Sequence, residues 1–155
     1  MTVASTIPAE IEVVSNWINE LVQEGVELHE IALIVRSGKE LPRATGAAKA
    51  AGVPYRVVDD NALAPHGSIA VCTMHLAKGL EFRAVAVMAC DDEIVPSQDR
   101  LASVTDEADL EEVYATERHL FYVAITRARD YLLVTSGDSP SEFLDDLSRE
   151  ELSSR

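Results

Sequence analysis

The sequence lacks the features of a membrane, secreted or disulfide-bonded protein. No apolar run approaches the roughly 20 residues that a membrane-spanning helix requires. The stretch Met1–Pro8 has neither a basic nor a long apolar region, so we expect a cytoplasmic location. Both cysteines, Cys72 and Cys90, fall in or beside apolar runs, where we expect buried free thiols. We therefore predict no disulfide, no bound metal and no membrane contact.

Basic residues are also scarce. The chain has 13 Lys and Arg against 27 Asp and Glu, which gives a formal net charge of −14. A protein that binds nucleic acid mainly by neutralising phosphates usually carries a basic surface. Any contact with nucleic acid is therefore expected to be local, or to be shared with another domain.

A phosphate-binding loop is missing as well. No Gly-x-x-x-x-Gly-Lys-Ser/Thr segment occurs, and this is the loop that cradles the phosphates and Mg²⁺ in many nucleotide hydrolases. Asp106–Asp109 spells the acidic motif of many ATP-hydrolysing helicases, but a poor strand precedes it and an amphipathic helix follows. We interpret it as the acidic first turn of a helix. The chain is therefore not expected to hydrolyse ATP alone.

What the sequence does contain is an alternation of apolar strands and helical patterns. Its 155 residues suit one domain, which we place at residues 1–147, with a frayed tail at 148–155. The predicted strands are Ile31–Val35, Tyr55–Val58, Ile69–Cys72, Ala84–Ala89 and Tyr131–Thr135. The predicted helices are Pro8–Glu24, Leu41–Ala51, Asp106–Ala124 and Ser141–Leu147, and Asp59–Gly67 is a connection. This alternation predicts an α/β fold of three layers, with a mostly parallel sheet and helices on both faces.

Polar residues cluster in Thr73–Phe82, between two of these apolar strands. Ligands of open α/β sheets bind beyond the carboxyl ends of the strands. We expect Arg36, Thr73–Glu81 and Ile125–Arg129 to share that edge of the sheet. Two arginines with a carboxylate between them in sequence suit a phosphate that carries a sugar. Taken singly, each arginine would be interpreted as half of a surface ion pair.

These segments resemble superfamily 1 DNA helicases of the UvrD/Rep/PcrA type. The resemblance lies in their C-terminal, second RecA-like domain, and it runs from Ile11 to Leu147 in consistent order. Thr73–Phe82 resembles helicase motif V, Glu117–Arg129 resembles motif VI, and Ile31–Arg36 resembles motif IV. The resemblance implies a RecA-like fold without its own phosphate-binding loop.

The resemblance also implies which residues would bind ATP. Arg127 matches the motif VI arginine that reaches the γ-phosphate as an arginine finger, and Arg36 matches a motif IV arginine with a similar phosphate role. Glu81 matches the carboxylate near the ribose, and Gly79 would allow the turn beside it. ATP with Mg²⁺ would lie in a cleft shared with an N-terminal RecA-like domain, on the same or a separate chain.

Two further residues would contact DNA. Thr73 and His75 match the motif V residues that touch the backbone of single-stranded DNA, and a hydroxyl and an imidazole can bind phosphate without reading sequence. The sequence departs from the family at Val35, where a tyrosine often stacks on adenine. It also departs between Tyr55 and Thr73, where a short connection replaces a large accessory domain.

The expected function is thus that of the C-terminal motor domain of an ATP-dependent DNA helicase or translocase, inactive without its N-terminal partner. The alternative is a degenerate helicase half that acts as a nucleic-acid or protein adaptor. An unrelated flavodoxin-like nucleotide-binding protein has no phosphate loop to support it.

Overall fold

A six-stranded sheet forms the centre of the molecule. The computed structural model describes residues 2–59 and 66–147, so the predicted tail and most of the predicted connection Asp59–Gly67 lie outside the described residues. The strands are β1 (Thr2–Val3), β2 (Ile31–Val35), β3 (Tyr55–Val57), β4 (Ile69–Thr73), β5 (Phe82–Val87) and β6 (Ala128–Ser136). Their order is β1-β6-β5-β2-β4-β3, and every neighbouring pair is parallel.

Four named helices cover the sheet. They are α1 (Ile7–Gln23), α2 (Leu41–Ala51), α3 (Gln98–Ala102) and α4 (Glu107–Ile125), with single 3₁₀ turns at Leu28–Glu30 and Gly38–Glu40; residues 143–147 are also helical. The side chain of Asp106 accepts a hydrogen bond from the Asp109 N–H at 2.9 Å, so the acidic tetrapeptide is the start of a helix, as predicted. Within the described residues no helix is long and apolar enough to cross a bilayer.

The strands bury apolar side chains on both faces. In β2, Ile31, Leu33 and Val35 pack against α1 and α2, whereas Ala32 and Ile34 pack on the side of α4. All five are fully buried. Burial on both faces explains why this strand is a continuous apolar run rather than an alternating one. The predicted three-layer α/β architecture is confirmed.

Several strand bounds differ from the prediction. The predicted strand Ala84–Ala89 is shifted, because β5 starts at Phe82 and ends at Val87. Ala89 takes a positive φ of 56°, which turns the backbone so that its N–H points at the Glu10 carboxylate, 2.8 Å away. β1 and α3 were not predicted, since a strand of two residues and a helix of five carry too little periodicity to detect.

The parallel strands give the sheet two distinct edges. The carboxyl edge is formed by residues that follow the strands, such as Arg36 after β2. The amino edge is formed by residues that precede them, such as Glu81 before β5. Helix α4 leads directly into β6, so it runs antiparallel to the strands, and its last turn lies at the amino edge.

Candidate functional site

The segment Thr73–Phe82 crosses from one edge of the sheet to the other. Thr73 is the last residue of β4, level with Val35, whereas Phe82 opens β5 and its N–H donates to the Arg127 carbonyl at 2.9 Å. Gly79 has a φ of +83°, a left-handed conformation that glycine adopts without a steric penalty. The segment therefore begins at the carboxyl edge and ends at the amino edge.

At the carboxyl edge the segment presents two polar side chains. His75 is exposed and Thr73 is half-buried. Between them, Met74 is fully buried, and its N–H donates to the Val35 carbonyl at 2.8 Å. This buried methionine fixes the backbone, so that both polar side chains are held at the surface by the core of the sheet.

Arg36, also at the carboxyl edge, is bound to a carboxylate within the domain. Its Nε donates to Glu117 Oε2 at 2.7 Å and its Nη2 to Oε1 at 2.5 Å, a bidentate ion pair. The side chains of Arg36 and Glu117 are 8% and 0% exposed. Glu117 also accepts the Ser97 N–H at 3.0 Å and Arg100 Nη1 at 2.9 Å.

These donors determine the charge state of Glu117. Burial on its own would raise the pKa of the carboxyl, but the hydrogen bond from Arg36, the Ser97 N–H and the charge of Arg36 together outweigh burial. The pKa therefore lies below its ordinary value of 4.5. Glu117 is an anion at neutral pH, and its negative charge is compensated by hydrogen-bond donors within the domain.

A second buried polar cluster ties β5 and β6 to α1 and α2. Glu10 is fully buried; its Oε1 accepts from the Ala89 N–H at 2.8 Å and from Thr135 Oγ1 at 2.7 Å, and its Oε2 accepts from Arg43 Nε at 2.6 Å. Arg43 Nη2 also donates to Asp91 Oδ2 at 2.8 Å. Thus the carboxyl edge has two clusters in which buried charges are mutually satisfied.

Arg127, at the amino edge, is in the opposite situation. Its Nε donates to the Val123 carbonyl at 3.0 Å, its Nη1 to the Leu80 carbonyl at 3.4 Å, and its Nη2 to Thr126 Oγ1 at 3.3 Å. All three acceptors are neutral. Among residues 2–59 and 66–147, no carboxylate forms an ion pair with Arg127. The guanidinium is oriented, but its charge is not compensated.

Glu81 lies beside Arg127 and borders a small pocket. The Glu81 side chain is exposed, and the pocket has a volume of about 180 Å³. Its lining residues are His29, Val58, His66, Ala70, Leu80, Glu81 and Phe82; most lie at or near the amino edge, whereas Val58 follows β3. The rings of His29 and His66 are 4.1 Å apart between centroids. This pocket combines apolar walls, two imidazoles and one carboxylate.

The prediction that Arg36, Thr73–Glu81 and Ile125–Arg129 share one edge is wrong. Arg127 directly precedes β6 and lies level with the start of β5, whereas Arg36 follows β2 at the far end of the sheet. The strand rise places their backbones on the order of 20 Å apart. A helix that leads into a parallel strand must end at the amino edge, so the two arginines cannot meet within this domain.

Three residues of these sites were missed from the sequence. Glu117 was read only as part of the motif VI resemblance, because its partner Arg36 is 81 residues away and one sequence shows no such pairing. His29 and His66 precede different strands, β2 and β4, and only the strand order makes them neighbours. The shared signal, a histidine two or three residues before an apolar run, is too common to mark a site.

The cysteines are buried and free, as predicted. Burial raises the pKa of Cys72 to about 12, so its thiol stays protonated. In the described part of the chain, His, Cys, Asp and Glu side chains do not gather into a group of three that could hold a metal ion.

Comparisons with known proteins agree with the resemblance found in the sequence. The sequence profile of the UvrD-like helicase C-terminal domain matches residues 60–139. The ATP-dependent DNA helicase PcrA of Staphylococcus epidermidis (strain ATCC 35984) is 32% identical over 109 residues, 63% of this chain and 14% of that protein. DNA helicase II of Rickettsia typhi is 40% identical over 77 residues, 50% of this chain and 11% of that protein. The chain thus spans only about one seventh or less of the length of these relatives.

A solved structure extends the likeness to the fold. The crystal structure of the C-terminal domain of a possible DNA helicase from Lactobacillus plantarum WCFS1 superposes with a TM-score of 0.67 at 27% identity. The match covers 92% of this chain and 75% of that one. The RecA-like fold class expected from the sequence is confirmed. The family profile spans more than half of the chain, and the chain belongs to the UvrD-like helicase C-terminal domain family.

Proposed function

We propose that this chain is the C-terminal motor domain of an ATP-dependent DNA helicase or translocase. In this proposal Arg127 is the arginine finger for ATP with Mg²⁺ that is bound in a cleft shared with an N-terminal RecA-like domain. The observation that carries it is the uncompensated charge of Arg127 at the amino edge, beside the exposed carboxylate of Glu81.

The chemistry at this edge suits a nucleoside triphosphate. A guanidinium neutralises the charge that develops on the γ-phosphate during transfer, which is worth about 10³–10⁵ in rate in enzymes that use an arginine finger. Hydrogen bonds to Val123 and Leu80 orient Arg127 before any ligand arrives, which reduces the entropy lost on binding. Glu81 can accept hydrogen bonds from ribose hydroxyls, and Gly79 supplies the turn that brings Glu81 to the edge.

The structure favours a supporting role for Arg36. A phosphate contact by Arg36 stays a prediction, but such a contact would have to break the bidentate pair with Glu117, and leaving either charge unpaired in a buried site is costly. The pair joins the end of β2 to the middle of α4. Since Arg127 follows the same helix, Arg36 can orient the finger without touching the nucleotide.

DNA is proposed to run along the carboxyl edge, where Thr73 and His75 lie. Contacts of this kind are independent of sequence and weaken with salt. At the end of β5 the same edge is acidic, because Asp92, Glu93 and Asp138 line a cavity of about 140 Å³ together with Asp91, whose charge is paired with Arg43. Phosphates are repelled there, so the strand is expected to pass on the side of β4. An N-terminal RecA-like domain would supply further contacts, in keeping with the net charge of −14.

The adaptor alternative has less support. A degenerate half has no use for an arginine that is held by three neutral acceptors and has no ion-pair partner among the described residues. The motor-domain hypothesis explains both the orientation of the Arg127 side chain and its uncompensated charge. If the adaptor reading holds instead, replacement of Arg127 will leave every activity of the intact protein unchanged.

The test compares two neighbouring arginines in a protein that joins this chain to its N-terminal RecA-like domain. We expect Arg127→Ala to lower the DNA-stimulated rate of ATP hydrolysis by about 10³–10⁵-fold. The matched control is Arg129→Ala, since Arg129 is exposed and only 3.7 Å from the surface carboxylate of Asp130. The 155-residue chain alone should not hydrolyse ATP with single-stranded DNA. Equal rates for the two variants, or hydrolysis by the chain alone, would refute the proposal.

A further inference from the structure

The threonine that precedes Arg127 is hydrogen-bonded on both sides, to the helix and to the guanidinium. Thr126 follows the last residue of α4, and its Oγ1 donates to the Val123 carbonyl at 3.0 Å. A hydroxyl has one proton, and this bond uses it, so towards any other group Oγ1 acts as an acceptor. Arg127 Nη2 donates to that oxygen at 3.3 Å. The hydroxyl therefore presents a lone pair to the guanidinium.

These groups form a closed network at the end of α4. The Val123 carbonyl accepts from Thr126 Oγ1 and from Arg127 Nε, each at 3.0 Å, while Thr126 Oγ1 accepts from Arg127 Nη2. Two nitrogens of one planar guanidinium are thus held by two acceptors on the same helix end. The χ1 angle of a threonine is restricted by its β-branch, so the hydroxyl itself is well fixed. Rotation of the guanidinium would break at least one of these hydrogen bonds.

The acceptor at this position is neutral, and that is the important difference from the carboxyl edge. Glu117 orients Arg36 equally well, but it also compensates the positive charge of that arginine. An arginine finger needs both a fixed orientation and a free charge, because it neutralises charge that develops on the γ-phosphate. A hydroxyl supplies the first without removing the second.

We propose that Thr126 is a positioning residue for Arg127, which orients the guanidinium for phosphate and leaves its charge uncompensated. This inference rests on the proposed function, and it concerns a residue to which the motif resemblance assigns no contact. Thr126 is exposed, so its side chain is not needed to fill the core. Its substitution is therefore expected to change activity more than stability.

The test measures kcat and KM for ATP hydrolysis at saturating single-stranded DNA, in the protein that joins this chain to its N-terminal RecA-like domain. Thr126→Val keeps the β-branched shape and removes the hydroxyl. We expect it to lower kcat about 10-fold, which corresponds to about 1.4 kcal/mol and is the size of one side-chain hydrogen bond. The KM for ATP should stay unchanged, because Thr126 acts through Arg127 and not on ATP. Thr126→Ser keeps the hydroxyl and should retain the native kcat.

A further variant separates orientation from charge. Thr126→Asp keeps an acceptor beside Arg127 but adds a negative charge, so the guanidinium becomes ion-paired as Arg36 is. We expect its kcat to fall below that of Thr126→Val, because the finger is then oriented but neutralised. A kcat equal to or above that of Thr126→Val would contradict the proposed need for a neutral acceptor.

The matched control is Thr116→Val, on the same helix. Thr116 is also exposed, and its Oγ1 donates to the Glu112 carbonyl at 2.9 Å, but it does not contact Arg127. This variant should keep the native kcat, which shows that the loss in Thr126→Val does not come from exchanging any threonine of α4. Equal losses in the two valine variants would overturn the inference.

A double variant tests whether Thr126 acts through the finger. In an Arg127→Ala background, Thr126→Val should have no further effect, because the group that it positions is gone. If Arg127→Ala lowers hydrolysis but Thr126→Val keeps the native kcat, or lowers it equally in both backgrounds, the positioning inference is wrong and the proposed function stands. If Arg127→Ala itself hydrolyses ATP at the native rate, the proposed function and this inference fall together.

Discussion

Arginine and glutamate occur at both edges of the sheet, but their roles at the two edges differ. At the carboxyl edge, Arg36 and Glu117 are buried and satisfy one another in a bidentate pair. At the amino edge, Arg127 and Glu81 lie close in the fold, yet neither is ion-paired among the residues that the structure describes. The comparison shows that the role of an arginine in a motif depends on its acceptors. A buried carboxylate compensates the charge and makes the arginine a structural residue, whereas neutral acceptors leave the charge available to a ligand.

The carboxyl edge also shows what a buried charge requires. Taking two charges out of water is costly, and their attraction offsets this cost only when the remaining hydrogen-bonding groups are satisfied. Glu117 meets this condition with four hydrogen bonds. The amino edge avoids the cost because its charges remain partly hydrated. Substitutions at the two edges should therefore have different effects, on stability at one edge and on function at the other.

The largest difference in stability is expected between two glutamates. Glu117→Ala leaves Arg36 buried without its partner, which should lower the free energy of unfolding by about 3–5 kcal/mol. Glu81→Ala removes an exposed side chain and should change the free energy of unfolding by no more than about 0.5 kcal/mol. Urea denaturation of the two variants measures both values. Similar losses for the two would remove the distinction between the edges.

Two glycines, Gly137 near the carboxyl edge and Gly79 near the amino edge, resist substitution for different physical reasons. A Cβ at Gly137 would collide with Arg43 Nη2 and would lie 2.8 Å from Glu10 Oε2 and 3.1 Å from Ile7 Cα. Gly137→Ala should therefore destabilise the domain by about 1–3 kcal/mol through overpacking. At Gly79 a Cβ would meet nothing within 4 Å, and only the φ of +83° resists substitution. Gly79→Ala should cost about 1–2 kcal/mol.

The combination of stability and binding measurements separates these two glycines. Gly137→Ala should leave nucleotide contacts at the amino edge unchanged once the protein is folded. Gly79→Ala should weaken them, because it alters the turn that positions Glu81. Thermal unfolding gives the first quantity and ATP titration the second. Loss of ATP binding in folded Gly137→Ala would contradict the separation.

The smallest expected effect is on the pH dependence of stability. The pKa of Glu117 is lower in the folded protein than its ordinary value of 4.5, so the folded state holds this carboxylate ionised. The stabilisation is complete above the unfolded pKa and is lost as pH falls through the folded pKa. Between pH 6 and pH 3, on the order of the acid range of carboxyl groups, the free energy of unfolding should fall more steeply for the native protein than for Glu117→Gln.

Much of the layered architecture could be predicted from the sequence, for physical reasons visible in single elements. β2 is bounded as predicted because a run of five apolar residues ends abruptly at Arg36. α2 is bounded as predicted because Gly52, with a φ of 74°, ends it in the left-handed conformation. Both signals are local, so one sequence contains them.

The site was harder to predict because it depends on which ends of elements meet. The motif resemblance named Arg127 and Glu81, and in the structure Arg127 contacts Leu80 and Phe82, the two sequence neighbours of Glu81. We also expected Arg36 to share their edge of the sheet, and chain direction contradicts that expectation, because Arg127 immediately precedes β6 and must lie at the amino edge. The pairing of Arg36 with Glu117 across 81 residues, and of His29 with His66, follows from packing that no local pattern contains.

The proposed assignment of nucleotide to the amino edge and DNA to the carboxyl edge can be tested directly in the protein that joins this chain to its N-terminal RecA-like domain. Arg127→Ala and His75→Ala are compared in two assays, binding of single-stranded DNA without nucleotide and hydrolysis of ATP at saturating DNA. We expect Arg127→Ala to keep its DNA affinity and lose hydrolysis, and His75→Ala to bind DNA more weakly and keep hydrolysis once DNA is saturating. If each variant impairs both activities to the same degree, or if Arg127→Ala hydrolyses ATP at the native rate, the assignment of nucleotide to the amino edge and DNA to the carboxyl edge is contradicted.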